Sequence, residues 1–267
     1  MRIAVTSDLR FRPDRLGIVE NVVSQIATLS PDVLVLAGNV GYPIVNFDLG
    51  LSMFDRFAFD KAALLGNRDL WSKNTGTSSN LLWNSLLPDT LKRHGYSYLE
   101  ESNLKVGKVG LCGTTGWYDY SGRDNRLKYT VEQYAKLKGL VNLDAQNVEW
   151  DWDDQDFAAR LQVSFAERIE LLERDHLINH VVVVTHFPVF GDAMAHSADD
   201  PQWNFGSAYA FNLALGRTIV PRRKLRHVVS GHISIAGKWT ITFGTNAFKF
   251  HVIGRDGETP YVAVIDI

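Results

Sequence analysis

The chain predicts an α/β fold, and three observations carry that prediction. Residues 1–6 and 32–37 are apolar runs rich in β-branched residues, as buried strands are. Each run stops at polar residues, Ser7-Asp8 after the first and Gly38-Asn39 after the second. Between them Leu16, Val19, Val22, Val23, Ile26 and Leu29 recur at helical spacing, opened by Pro13-Asp14 and closed by Ser30-Pro31. Strand, helix and strand within forty residues form a β-α-β unit whose right-handed crossover makes the strands parallel neighbours and brings Asp8 close to Asn39.

The remaining elements follow in order. Residues 49–57 predict a helix, and residues 61–65 a short strand ending at Gly66-Asn67. A polar loop over 75–80 leads into helical spacing over 81–94 and a strand over 108–113. Residues 114–152 carry Trp117, Tyr118, Tyr120, Tyr129, Tyr134, Trp150 and Trp152 among many polar residues, which predicts an insertion or lid more than a core element. Within it, residues 113–120 could shape a substrate pocket, or their rings could only pack the lid. Helical spacing resumes over 157–175, and a strand over 180–185 delivers His186. A loop over 191–206 holds His196 and Asp199-Asp200, expected to be solvated. A helix then leads to a strand over 227–230 that delivers Gly231-His232. Segments 238–243, 248–253 and 261–265 alternate as antiparallel strands do. With no repeat, linker or low-complexity run, the reading is a single domain over 1–267 with an aromatic-rich insertion at about 114–152.

Composition narrows the function classes. A length of 267 residues and 45% hydrophobic content suffice for a large core. The 28 basic and 30 acidic residues give a net charge of -2, so no long-range field indicates nucleic acid or an anionic membrane; any anion site must be local. Arg222-Arg223-Lys224 is then a helix face, not a nucleic-acid patch. Cys112 is the only cysteine, which excludes an intramolecular disulfide and suits a cytoplasmic protein. The opening apolar run is too short for a signal peptide, and no run approaches the roughly 20 residues that span a bilayer.

Five segments sit where strands should end: Thr6-Ser7-Asp8-Leu9-Arg10, Ala37-Gly38-Asn39-Val40, Gly66-Asn67-Arg68-Asp69, Val184-Thr185-His186-Phe187-Pro188 and Ser230-Gly231-His232-Ile233-Ser234. In order and spacing the set resembles the calcineurin-like metallophosphoesterase family, whose signature runs D-x-H, G-D, G-N-H-[DE], a lone H and G-H-x-H. The resemblance implies a four-layer α/β/β/α sandwich of two mixed β-sheets flanked by helices, for nearly the whole chain. It also implies a dinuclear metal centre that clamps a phosphate ester. Asp8, Asn67, His186 and His232 match retained family positions. Arg10 and Ser234 stand where imidazole ligands are expected, Asn39 where a carboxylate bridges both metals, and Arg68 where a histidine contacts the phosphate or protonates the leaving group. The first metal site keeps only Asp8. Asn67, His186 and His232 could still hold one divalent cation, zinc or manganese, against the repulsion of two guanidinium groups.

Charge counting points to another use. Arg10 and Arg68 place fixed positive charge where the dications would lie, and guanidinium grips phosphate, sulfate or carboxylate bidentately. The plainer alternative makes both arginines surface residues after strand ends. The expectation is a degenerate metal site with no tightly bound cofactor and a retained pocket for a phosphate-containing or other anionic small molecule, lined by Arg10, Asn39, Asn67, Arg68 and Ser234. Asp8, His186 and His232 are its candidate catalytic groups, for weak hydrolysis or metal-independent chemistry. The alternatives are a one-metal phosphoester hydrolase and a noncatalytic protein-binding scaffold.

Overall fold

The computed structural model describes residues 1–195 and 200–267; His196 and Asp199 lie outside them. Along the chain run β1 (Arg2–Thr6), α1 (Leu16–Leu29), β2 (Val33–Ala37), α2 (Ile44–Ser52), β3 (Asp60–Leu64), α3 (Ser79–Leu81) and α4 (Leu87–Arg93), the last two joined by a π-helical turn. Then come β4 (Tyr96–Tyr98), β5 (Leu104–Val106), β6 (Val109–Thr114), α5 (Val131–Val141), α6 (Asp144–Asn147), α7 (Asp154–Arg174) and β7 (His180–Thr185). The chain ends with α8 (Pro201–Gly206), α9 (Leu213–Ile219), β8 (Leu225–Ser230), β9 (Gly237–Phe243), β10 (Asn246–Val252), the two-residue β11 (Arg255–Asp256) and β12 (Thr259–Pro260), and β13 (Ala263–Asp266).

The strands form two larger mixed sheets, in the orders β13-β1-β2-β3-β4 and β5-β6-β7-β8-β10-β9. Alternation along each strand builds the layers. In β1, Ile3 and Val5 join Val182, Val184 and Val229 of the second sheet in a dry layer between the sheets. Ala4 faces the other way, onto Val19, Val22, Val23 and Ile26 of α1. Burying those four side chains contributes about 1.5–3 kcal/mol each. α1 stops at Ser30, whose left-handed backbone returns its N–H to the Ile26 carbonyl before Pro31. On the far side Cys112, Val181 and Val183 pack under Phe165, Ile169 and Leu172 of α7. The architecture is the four-layer α/β/β/α sandwich. Among the described residues, no helix is long and apolar enough to cross a membrane.

Four local expectations need correction. The helix read at 49–57 lies instead at Ile44–Ser52, with Pro43 at its N-terminal boundary. The loop at 191–206 contains α8, which starts on Pro201 with the Asp200 carboxylate accepting from the Trp203 amide. β10 is antiparallel to β9 but parallel to β8, so the tail is only partly antiparallel. The largest correction concerns the aromatic insertion. Trp117, Tyr118 and Tyr134 are 0% exposed and Tyr120 only 2%, all within the core cluster beneath the first sheet's helices. Trp117 stacks on Tyr118 at 4.9 Å and meets Phe157 and Phe187 edge-on at 5.5 and 5.7 Å. Trp117 and Tyr120 can be buried because their polar ends are satisfied: Trp117 Nε1 donates to Asp154 at 2.7 Å and the Tyr120 hydroxyl donates to the same carboxylate.

Candidate functional site

Five parallel strands end in one place. β1, β2 and β3 deliver Asp8, Asn39 and Asn67 from one sheet, while β7 and β8 deliver His186 and His232 from the other. Ligand sites of α/β proteins form at such carboxyl ends. The turns are tight: Asp8, Arg10, Asn39 and His232 all have positive φ, between 47° and 68°. For L residues that conformation costs about 1–2 kcal/mol each, and such strain gathers at functional sites. Gly38 also has positive φ, and a methyl group there would lie 2.6 Å from His186 Nδ1. Gly66 is required for space, since its Cβ would stand 2.4 Å from Asn39 Oδ1.

Every predicted site residue lines or underlies this point, with Ser234 at its open edge. Asp8, Asn39, Asn67 and His186 are buried. The oxygens of Asp8 are saturated with donors. Arg10 Nη2 and Nε reach Oδ1 at 2.8 and 3.2 Å, and Asn39 Nδ2 reaches the same oxygen at 2.9 Å. The Ser7 hydroxyl and the His232 backbone N–H both donate to Oδ2 at 2.9 Å. Burial would raise the Asp8 pKa, but His186, Arg10, His232 and the Asn39 amide together hold it well below the usual carboxylate range.

Asn39 acts as a hub. Its Nδ2 donates to Asp8 Oδ1 and, at 3.2 Å, to Asn67 Oδ1, while its Oδ1 accepts from the Arg68 backbone N–H at 2.8 Å. A carboxylate at 39 would set oxygen against oxygen at both contacts. The amide therefore does by N–H donation what a bridging cation would do by charge. Arg10 is thus not the free guanidinium the sequence suggests, because Asp8 partners it. Arg68 makes no ion pair with a carboxylate among the described residues: it stacks over Trp71 at 4.8 Å and lines the cavity with Arg10 and Arg255. Burial, then the Arg10 charge, pushes its pKa down to about 10, with Asp8 and Asp144 partly opposing them. Ser234 is exposed on the rim of the same cavity, and its carbonyl accepts from the Arg255 N–H at 3.0 Å.

Three atoms of metal-ligand type also converge. His186 Nδ1 lies 2.8 Å from the Ala37 carbonyl and so donates, leaving Nε2 bare, 3.2 Å from Asn67 Oδ1 and 3.3 Å from His232 Nδ1. Burial lowers both imidazoles, His232 further because His186 lies beside it. Among the described residues no group of three or more His, Cys, Asp or Glu could hold a metal ion. A dinuclear centre does not fit this donor set, since Asp8 has no oxygen free and Asn39 turns N–H groups inward.

Sequence reasoning missed three residues. Asp69 accepts the Asn39, Gly66 and Gly41 amides at 2.8, 2.8 and 3.2 Å and clamps the second and third strand ends together. Burial pushes it up to about 7 in spite of those donors. Its place at the end of the Gly66-Asn67-Arg68-Asp69 segment was the available signal. Asp144, on α6 of the insertion, accepts from Asn67 Nδ2 at 2.8 Å, Trp71 Nε1 at 2.7 Å and the Tyr118 hydroxyl at 3.3 Å. Arg255, far along the chain on β11, adds a third guanidinium to the cavity. Neither has a local sequence signal, because only tertiary folding brings α6 and β11 to the strand ends.

Comparison with known proteins agrees with this geometry. A family model for calcineurin-like phosphoesterases matches residues 1–235. Among solved structures, phosphopantetheinyl hydrolase from Mycobacterium tuberculosis is similar at TM-score 0.71 and 16% identity, over 98% of this chain and 95% of that one. A dimetal phosphatase from Danio rerio is similar at TM-score 0.56 and 14% identity, over 97% of this chain and 88% of that one. A search of curated proteins finds no match. With two mixed sheets whose strand ends carry the motif positions, and a family model spanning most of its length, the chain belongs to the calcineurin-like phosphoesterase family.

Proposed function

We propose that this chain binds a phosphate-type anion through guanidinium groups in place of a dinuclear metal centre, and hydrolyses phosphate esters slowly or has been repurposed for metal-independent chemistry. The observation that carries the reading is the saturation of Asp8: five donors from Arg10, Asn39, Ser7 and His232 occupy its two oxygens. Arg68, backed by Trp71 and lacking a carboxylate partner among the described residues, is the group best placed to meet the anion, with His232 on the same cavity wall. Charge-assisted hydrogen bonds of this kind are roughly twice as strong as neutral ones. A ring nitrogen of His186 or His232 with a free lone pair would accept a proton, as from a water attacking a bound ester.

The test is calorimetric titration of inorganic phosphate into chelator-treated protein. Binding is expected in the wild type and at least tenfold weaker in the Arg10→Ala, Arg68→Ala variant, since each lost charge-assisted bond is worth about 1.5–3 kcal/mol. Equal affinity in the two proteins would overturn the reading.

A second reading rests on Asn67 Oδ1, His186 Nε2 and His232 Nδ1. Their 3.2 and 3.3 Å separations match the roughly 3.3 Å between ligands of a tetrahedral cation such as zinc. One ion held there would supply Lewis-acid polarisation of a phosphoryl oxygen. Under this reading, His186→Ala abolishes binding of one equivalent of zinc by the chelator-treated protein.

A further inference from the structure

Two cavities open from the strand ends and share a wall. The first, about 580 Å³, is bordered by His232 and Asn67; the second, about 630 Å³, extends past Phe11 and Tyr42. Arg10, Arg68, Trp71 and Arg255 line both. The second chamber adds Arg12 and Arg15, so that five arginines border it against two carboxylates, Asp69 and Glu258. Asp69 is spent on three backbone amides, and Glu258 pairs with Arg15 at 3.4 Å. Arg12 pairs with Asp14 on its exposed side, and Arg10 with Asp8. Arg68 and Arg255 have no carboxylate partner among the described residues.

Arg15 is the informative member. It is only 7% exposed, yet its Nε has no hydrogen-bond partner, while Nη2 donates to the Glu258 carbonyl at 2.7 Å. A buried charged donor left unpaired is costly. Besides Glu258, the charged groups acting on Arg15 are Arg10, Arg12 and Arg255, so positive charge dominates this wall and an anion is the ligand that suits it.

Resting on the anion pocket proposed above, we propose that the second chamber is a subsite for a second anionic group. The ligand is then of the diphosphate class: one phosphoryl group lies at Arg68 beside His232, and the other lies against Arg15, Arg12 and Arg255. Arg68, on the shared wall, touches both groups.

The experiment compares inorganic phosphate with pyrophosphate by calorimetry on the chelator-treated 267-residue chain. The wild type is expected to prefer pyrophosphate by more than tenfold. Arg15→Gln should cut that preference about tenfold and Arg12→Gln about threefold, each leaving phosphate affinity unchanged, because only the second group is affected. Preference unchanged in a folded Arg15→Gln protein, or a wild-type preference below twofold, overturns the subsite while leaving the anion pocket standing. Should Arg15→Gln fail to fold by circular dichroism, exposed Arg12→Gln decides by the same ratio. Absence of binding by either anion to the wild type overturns the pocket and the subsite together.

Discussion

At position 39 the difference between an amide and a carboxylate is one atom, and it inverts the electrostatics of the pocket. Asn39 Nδ2 holds Asp8 and Asn67 at 2.9 and 3.2 Å without any cation. Asn39→Asp would place a second carboxylate against Asp8, and like charges so close disfavour each other strongly. The variant should be about 1–3 kcal/mol less stable in urea denaturation with chelator present, and manganese should restore part of the loss. Unchanged stability would show that Asn39 is not the hub described. Asp144 carries a similar weight, since Asn67, Trp71 and Tyr118 all donate to it. Asp144→Ala strands three buried or half-buried donors and is expected to cost about 2–4 kcal/mol, with weaker phosphate binding as Trp71 and Arg68 lose their support. Wild-type stability and affinity in that variant would remove the insertion from the account of the site.

Elements were most legible where one face meets a sheet and the other a helix. β1, β2 and β7 could be read because burial on both sides leaves near-continuous apolar runs that end abruptly at polar residues, and α1 because its one buried face recurs at helical spacing. The insertion misled because its rings reach the core through loops and short helices, where no period reports burial; their anchor, Asp154, is itself buried. A second element-scale feature could not be read either. On β8 and β10, His227 Nδ1 and His251 Nε2 stand 3.1 Å apart. Burial first, then the charges of His227, Lys238 and Lys249, pushes His251 from its ordinary 6.5 down to about 4. The native chain therefore keeps His251 uncharged between those values while the unfolded chain protonates it. Unfolding takes up a proton there, so stability falls as the pH drops from about 6.5 towards 4, by about 1–3 kcal/mol. His251→Gln should flatten this part of the curve. Thermal unfolding of both proteins at pH 7 and pH 4.5 checks it, and parallel declines would contradict it.

On the scale of the whole molecule, the sandwich brings motif positions separated by more than two hundred residues to one point, and the family resemblance was legible because those positions keep their order and spacing. Their present use was not legible. The pairing of Arg10 with Asp8, the third guanidinium of Arg255 and the two-chambered cavity depend on φ angles and on a tail strand that no local pattern encodes. The fold thus preserves a phosphoesterase frame, in which we propose that arginine and amide groups take the place of metal. Manganese-dependent turnover of a chromogenic phosphomonoester and a phosphodiester should be very slow in the wild type. The variant Arg10→His, Asn39→Asp, Arg68→His, Ser234→His rebuilds the ligand pattern around Asp8, Asn67, His186 and His232. It should gain at least a hundredfold, because a two-metal centre supplies several kcal/mol and about 1.4 kcal/mol is tenfold in rate. Fast turnover by the wild type, or no gain in a rebuilt protein that holds two metals, would contradict this.

The central claim is that fixed guanidinium charge and amide donors stand where two cations would otherwise lie. Elemental analysis of protein purified without chelator and dialysed tests it most directly. Less than one tightly held transition metal per chain is the predicted result; two per chain would contradict it.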